Sequence, residues 1–112
     1  MARITSELFV SQLVRRVFSA GGFAAIGRKG AEMAGAVFVI ARPPGEPPAL
    51  YAPAVQTLAD EGGGRRFMRE AAADDAAIAA RLEREARFDP DYWLVEIEIR
   101  DAESFIDVAA ED

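Results

Sequence analysis

Six charged side chains have the types and spacing to do chemistry: Arg15, Arg16, Arg28 and Lys29 in the first half of the chain, Asp89 and Asp91 in the second. Guanidinium groups donate in planar forks, so the four bases could together hold a phosphate, a carboxylate or an acidic partner. Asp89-Pro90-Asp91 sets two acids close together, and Glu96 and Glu98 follow on one strand face. Paired acids can share a proton or take a divalent cation. Tyr92, on the side of those acids, is available to stack on a ligand. Each group also has a plainer reading. Bases near a helix C-terminus complement its dipole, and Asp with Pro is what a turn after a helix prefers. Asp89 and Asp91 lack the further ligands and the glycine of a calcium loop, so no metal is expected.

What is missing narrows the chemistry further. The chain has no cysteine and no histidine. Thiolate nucleophiles, disulfides and the usual general base near neutral pH are therefore absent. Catalysis would fall to carboxylates, Tyr51, Tyr92, Lys29 or an unassisted hydroxyl. Gly22 to Lys29 is spaced like a phosphate-binding loop, but Arg28 takes the lysine position and Lys29 replaces the magnesium-binding hydroxyl. A helix precedes it where a strand should be, so a phosphate loop is rejected. Asp60-Glu61-Gly62-Gly63-Gly64-Arg65-Arg66 has the composition of a mobile binding loop or of a plain flexible connection. No cofactor is expected.

Charge is unevenly spread. Residues 1–56 carry six basic and three acidic groups, whereas 57–112 carry seven and sixteen, for a net −6. An acidic chain is a poor general nucleic-acid binder, because phosphate affinity comes from clustered bases. A weak RNA contact through the same four bases is the most that remains. Opposite charge in the two halves favours a protein partner or a second copy of the chain. The longest uncharged run, Pro47 to Ala59, is shorter than a membrane span and holds three prolines. No membrane association is expected, and the cytoplasm is the expected location.

The elements that must position these groups follow from periodicity. Thr5 or Ser6 caps a helix running to about Ala20, with Phe9, Val10, Leu13, Val14 and Val17 inside an arc of about 140°. Leu8 and Phe18 fall on its polar side, and Gly21-Gly22 stops it. Phe23 to Arg28 is a strand candidate. Gly35 to Arg42 is an unbroken apolar run that suits a strand buried on both faces. The prolines of 43–48 make a turn. Ala49 to Val55 returns as a strand that Pro53 pushes to an edge or a bulge. Arg65 to Glu70 alternates around Phe67. A second helix starts at Asp74-Asp75 and runs to about Arg87, with Ile78, Leu82 and Ala86 on one face and Glu83 paired to Arg87. Tyr92 to Arg100 is the clearest strand: Trp93, Val95, Ile97 and Ile99 point one way, the acids the other. Residues 101–112 form an acidic tail or a short helix using Phe105, Ile106 and Val108.

The expected architecture is one α+β domain over 1–100, a mainly antiparallel sheet of four to five strands with both helices on one face. Over nearly its whole length up to about Arg100, the chain resembles a small bacterial family, seen mainly in alphaproteobacteria and known only as a domain of unknown function. The likeness rests on Thr5-Ser6-Glu7, Arg15-Arg16, Gly21-Gly22, Arg28-Lys29-Gly30, Ala34-Gly35-Ala36 and Tyr51-Ala52-Pro53. Its most distinctive block is Phe88-Asp89-Pro90-Asp91-Tyr92-Trp93-Leu94-Val95-Glu96-Ile97-Glu98. That resemblance implies no catalytic or binding residue. The expected function is a non-catalytic binding or adaptor module that self-associates. The alternative is a small enzyme or binding protein that holds an anionic molecule through Arg15, Arg16, Arg28 and Lys29, with Asp89 or Asp91 moving protons.

Overall fold

The computed structural model describes residues 4–54 and 65–109. Helix α1 covers Ser6–Ser19, capped by Thr5, whose hydroxyl accepts the Leu8 amide hydrogen at 3.1 Å. Gly21 follows with φ of +92°, a backbone that side chains resist, and turns the chain into β1, Phe23–Arg28. Strands β2 (Val37–Ala41), β3 (Ala49–Pro53) and β4 (Arg66–Arg69) come next. Helix α2, Asp75–Phe88, starts at Asp74, whose carboxylate accepts from the Ala77 amide at 2.8 Å. It stops at Asp89, because the residue before Pro90 avoids helical geometry. Strand β5 is Trp93–Glu98; a 3₁₀ turn over Ala102–Phe105 leads to a short strand β6, Asp107–Val108.

These six strands form one sheet in the order β1-β5-β2-β3-β4-β6. The β1–β5, β2–β3 and β3–β4 pairs are antiparallel, whereas β2–β5 and β4–β6 are parallel. The sheet is therefore mixed and six-stranded, not mainly antiparallel with four or five strands. One cause is α2. It carries the chain back across the sheet, so β5 enters between β1 and β2 and runs parallel to β2. The other is the segment after Arg100, which supplies β6 at the far edge.

The two helices also cover opposite faces, against the expectation of one. All five residues of β2 are buried. Val37, Val39 and Ala41 pack with Val10, Leu13 and Val17 of α1, while Phe38 and Ile40 pack with Ile78 and Leu82 of α2. A strand with apolar side chains on both faces needs a cover on each, so the run Gly35 to Arg42 already demanded this arrangement. Trp93, Val95 and Ile97 lie on the α1 face at 1 % exposure or less, as the alternation requires. Strand β3 is interior, not an edge. Pro53 is tolerated because the β2–β3 register ends at Val39–Tyr51, two residues before it, and the neighbouring ladder bond comes from the Ala54 amide to Arg66. The Glu83–Arg87 pair forms at 3.3 Å. The loop residues 60–64 and Val55 lie outside the described residues.

Candidate functional site

The residues singled out in the sequence divide into two places. Arg28 ends β1, where its Nε and Nη2 donate to the Pro90 carbonyl at 3.2 and 2.6 Å. Its guanidinium stands 4.6 Å over the Tyr92 ring. The loop after Arg28 lies flat on the same turn: Ala31 donates its amide hydrogen to Asp91, and a Cβ on Gly30 would sit 2.3 Å from the Asp91 carbonyl oxygen. Arg28, Gly30, Asp89-Pro90-Asp91 and Tyr92 thus form one joint, made by backbone carbonyls and a ring. Arg28 serves that joint as a brace.

Tyr92 departs from its expected availability. It is 4 % exposed, its ring edge meets Phe38 at 5.3 Å, and it belongs to the core under α2. Alternation placed Tyr92 correctly on the side of Glu96, but that side is itself roofed by a helix. Arg16 is elsewhere again, donating to the Phe105 carbonyl at 2.8 Å. Arg15 and Lys29 are exposed. The four bases do not converge on one cleft. Nor do the acids: Glu96 is taken by Arg42 at 2.7 Å, and Arg42 also reaches Asp75 at 2.8 Å. Those two carboxylates hold the Arg42 guanidinium even more firmly protonated than usual. Among the described residues no group of three or more potential ligands is placed to hold a metal ion. No helix described is long and apolar enough to cross a membrane.

Two cavities occupy opposite ends of the sheet. One, of about 370 Å³, is lined by Ala36 and Val37 at the start of β2, Pro53 and Ala54 at the end of β3, Arg65 to Phe67 entering β4, and Asp89 closing α2. Asp89 is the one expected candidate that lines it. One Asp89 carboxylate oxygen accepts the Asp91 amide hydrogen at 3.0 Å, which fixes the group. Arg65 is held from behind by Ser6 Oγ at 3.0 Å and the Ile4 carbonyl at 3.2 Å. Ser6 is fully buried and its hydroxyl donates a hydrogen bond to the Gly35 carbonyl.

The second cavity, about 240 Å³, lies under the proline turn and is lined by Glu46, Tyr51, Arg69, Asp101 and Glu103 among others. The Tyr51 hydroxyl donates to Glu103, and Arg69 approaches the same carboxylate at 3.7 Å. Burial first, and then that hydrogen bond, pushes the Tyr51 phenol well above its ordinary value. Asp101 adopts the left-handed backbone, φ +53°. This cluster escaped sequence reading because its bonded members Tyr51 and Glu103 lie 52 positions apart. The only local signal was a tyrosine inside an apolar strand, which asks for a hydroxyl partner.

Comparison with known proteins settles the lineage. Residues 4–107 match the model of a family described as "Protein of unknown function (DUF1491)". The chain belongs to the DUF1491 family. The match runs past Arg100, through the 3₁₀ turn to the first residue of β6. Among solved DUF1491-like structures, protein Atu0922 from A. tumefaciens is 47 % identical over 98 % of both chains, with a TM-score of 0.85. A crystal structure of a DUF1491 family protein from Caulobacter crescentus CB15 is 34 % identical over 96 % of this chain and 98 % of that one, TM-score 0.79. An NMR structure of a DUF1491 family protein from the same organism is 33 % identical over 98 % and 100 %, TM-score 0.80. No curated protein matches the chain.

Proposed function

We propose that this DUF1491 chain is a non-catalytic binding module that associates with a second copy of itself along β1. The observation that carries the reading is the edge of that strand. β1 is the last strand of the sheet, and no described strand pairs with its outer side. Phe23 and Ile26 are 51 % and 49 % exposed there. Phe18 of α1 stacks edge-on against Phe23, with ring centroids 5.6 Å apart, and extends the apolar surface. Edge strands are ordinarily blunted by charge or proline. From Phe23 to Gly27, β1 has neither.

Charge selects a second copy as the occupant. In a two-fold antiparallel pairing, the Arg28-Lys29 end of one β1 lies against the Phe23 end of the other. Phe23 is in register with Glu98, which is exposed, as is Lys29. Each copy therefore offers a cation where the other offers an acid, twice by symmetry. Sedimentation velocity across protein concentration should show a dimer that weakens with salt. Ile26→Lys should give a monomer with an unchanged circular dichroism spectrum. A wild-type chain that stays monomeric at high concentration and low salt overturns the reading.

A further inference from the structure

Helix α2 roofs only part of its face of the sheet. Its buried residues Ile78 and Leu82 pack on Phe38 and Ile40 of β2 and on Leu50 and Ala52 of β3. Glu96 and Glu98 of β5 lie on that same face, because they alternate with Val95 and Ile97 of the α1 face. Ala25 and Phe23 of β1 stand opposite them in register, so their side chains share the face. There Ala25 and Glu98 are exposed, and Phe23 is 51 % exposed. Through the sheet, Ala24 and Ile97 of the same two strands are 5 % and 0 % exposed. The roof over Tyr92 thus stops short of β1, leaving a bare strip two strands wide beside α2.

We infer that this strip seats an amphipathic helix of a partner protein, whose apolar stripe is edged by Lys and Arg. Size fits one helix. Neighbouring strands are about 4.8 Å apart, so β1 and β5 together offer about 10 Å, the width of a helix. Helices pack side by side at about 8–10 Å, which brings the newcomer against α2 as well. The six residues of β5 extend about 20 Å, the length of a helix of about 14 residues. Phe23 and Ala25 take the apolar stripe.

Charge selects the basic edge. Glu96 is tied through Arg42 to Asp75 at the start of α2, two acids on one base. Glu98 makes no ion pair among the described residues. Arg28, at the Leu94 end of the strip, is held by the Pro90 carbonyl and the Tyr92 ring and does not offset it. An uncharged helix would cover Glu98 without a partner, and an acidic one would repel it. Lys or Arg satisfies the carboxylate while its stem lies on the apolar floor. The strip belongs to the single chain and does not depend on pairing along β1. Ile26, opposite Val95, projects to the α1 face instead.

The test titrates a synthetic peptide of about 14 residues into the full chain and follows amide NMR shifts. The peptide is alanine-based, with leucines at three- and four-residue spacing and lysines along the edge of that stripe. The amides of Ala25, Glu96 and Glu98 should move. A scrambled peptide without the stripe, and a stripe peptide with glutamate for lysine, should each bind at least about tenfold more weakly. Glu98→Lys should weaken the lysine peptide about fivefold or more, the scale of an exposed ion pair turned to repulsion. Ala25→Lys, a charge on the apolar floor, should weaken it at least about tenfold. Ile26→Lys puts the same charge on the other face and should leave peptide binding unchanged whether or not the wild-type chain dimerises, so the two readings fail separately. Circular dichroism checks each fold, and if Ala25→Lys fails to fold, Glu98→Lys decides alone. Equal binding of the scrambled or glutamate peptide, equal weakening by Ile26→Lys, or millimolar stripe peptide leaving those amides unmoved overturns the inference. So does a wild-type dimer that Ala25→Lys breaks and Ile26→Lys spares, because the strip then seats a second copy.

Discussion

Tyr51 of β3 donates a hydrogen bond from its hydroxyl to Glu103 of the 3₁₀ turn, joining residues 52 positions apart and fastening the segment after β5 to the middle of the sheet. Burial and the carboxylate both favour the protonated phenol, so its folded pKa lies above the unfolded value of about 10. The contribution to stability is full below about pH 10 and is lost as pH rises from there towards the folded pKa. Tyr51→Phe should cost about 0.5–1.5 kcal/mol at neutral pH. It should also flatten the alkaline loss of stability. Urea denaturation at neutral pH and above about pH 10 reads both effects.

Trp93 is 1 % exposed, and its indole N–H donates to the Ala31 carbonyl at 2.7 Å. Trp93→Ala should destabilise by about 3–5 kcal/mol through the cavity it leaves. Trp93→Phe should cost less, since it loses the indole hydrogen bond while Gly35 still donates to the same carbonyl. Circular dichroism during urea unfolding measures the difference without relying on tryptophan fluorescence.

Two glycines near one another should respond oppositely. At Gly30 a Cβ would meet the Asp91 carbonyl oxygen at 2.3 Å and the Tyr92 carbonyl carbon at 2.6 Å, both backbone atoms with nowhere to go. Gly30→Ala should cost at least about 2 kcal/mol. At Gly27 the nearest atom is the end of the Leu94 side chain at 3.3 Å, which can swing. Gly27→Ala should stay within about 1 kcal/mol of neutral. Thermal melting of the two variants side by side checks the contrast.

Much of this layout was legible in the sequence, for physical reasons that particular residues show. Thr5 and Asp74 announced the helix starts, Asp89-Pro90 the second stop, and Trp93, Val95 and Ile97 the buried face of β5. All are local signals, fixed within a few bonds. Sheet order is not local: nothing near Trp93 says that its strand lies between β1 and β2. Tyr92 shows the same limit, since alternation gives a side of the sheet without saying what covers it. The cavity failed to be read for a third reason. Arg65, Asp89 and Val37 meet only because the ends of β2, β3, β4 and α2 coincide.

Arg81 links α2 to the chain after β4, pairing with Glu70 at 2.8 Å and Glu85 at 3.0 Å, all three side chains less than a quarter exposed. The two carboxylates hold its guanidinium more firmly protonated than usual. Arg81→Met would leave two half-sheltered acids facing each other and should cost about 1–2 kcal/mol, with weak dependence on salt. Arg87→Met, removing the open Glu83 pair, should cost under about 0.5 kcal/mol. Chemical denaturation at two ionic strengths distinguishes them.

The insertion of β5 between β1 and β2 sets the order in which a nascent chain can finish. While the ribosome is still making α2, the long apolar side of β2 has no neighbour on the flank that β5 will fill. That gap is a template for pairing with any other extended chain, and it persists until Trp93 to Glu98 leave the exit tunnel. A stalled or truncated product ending before residue 93 is therefore a sticky half-sheet, whereas the finished chain conceals the same strand on both sides and both faces.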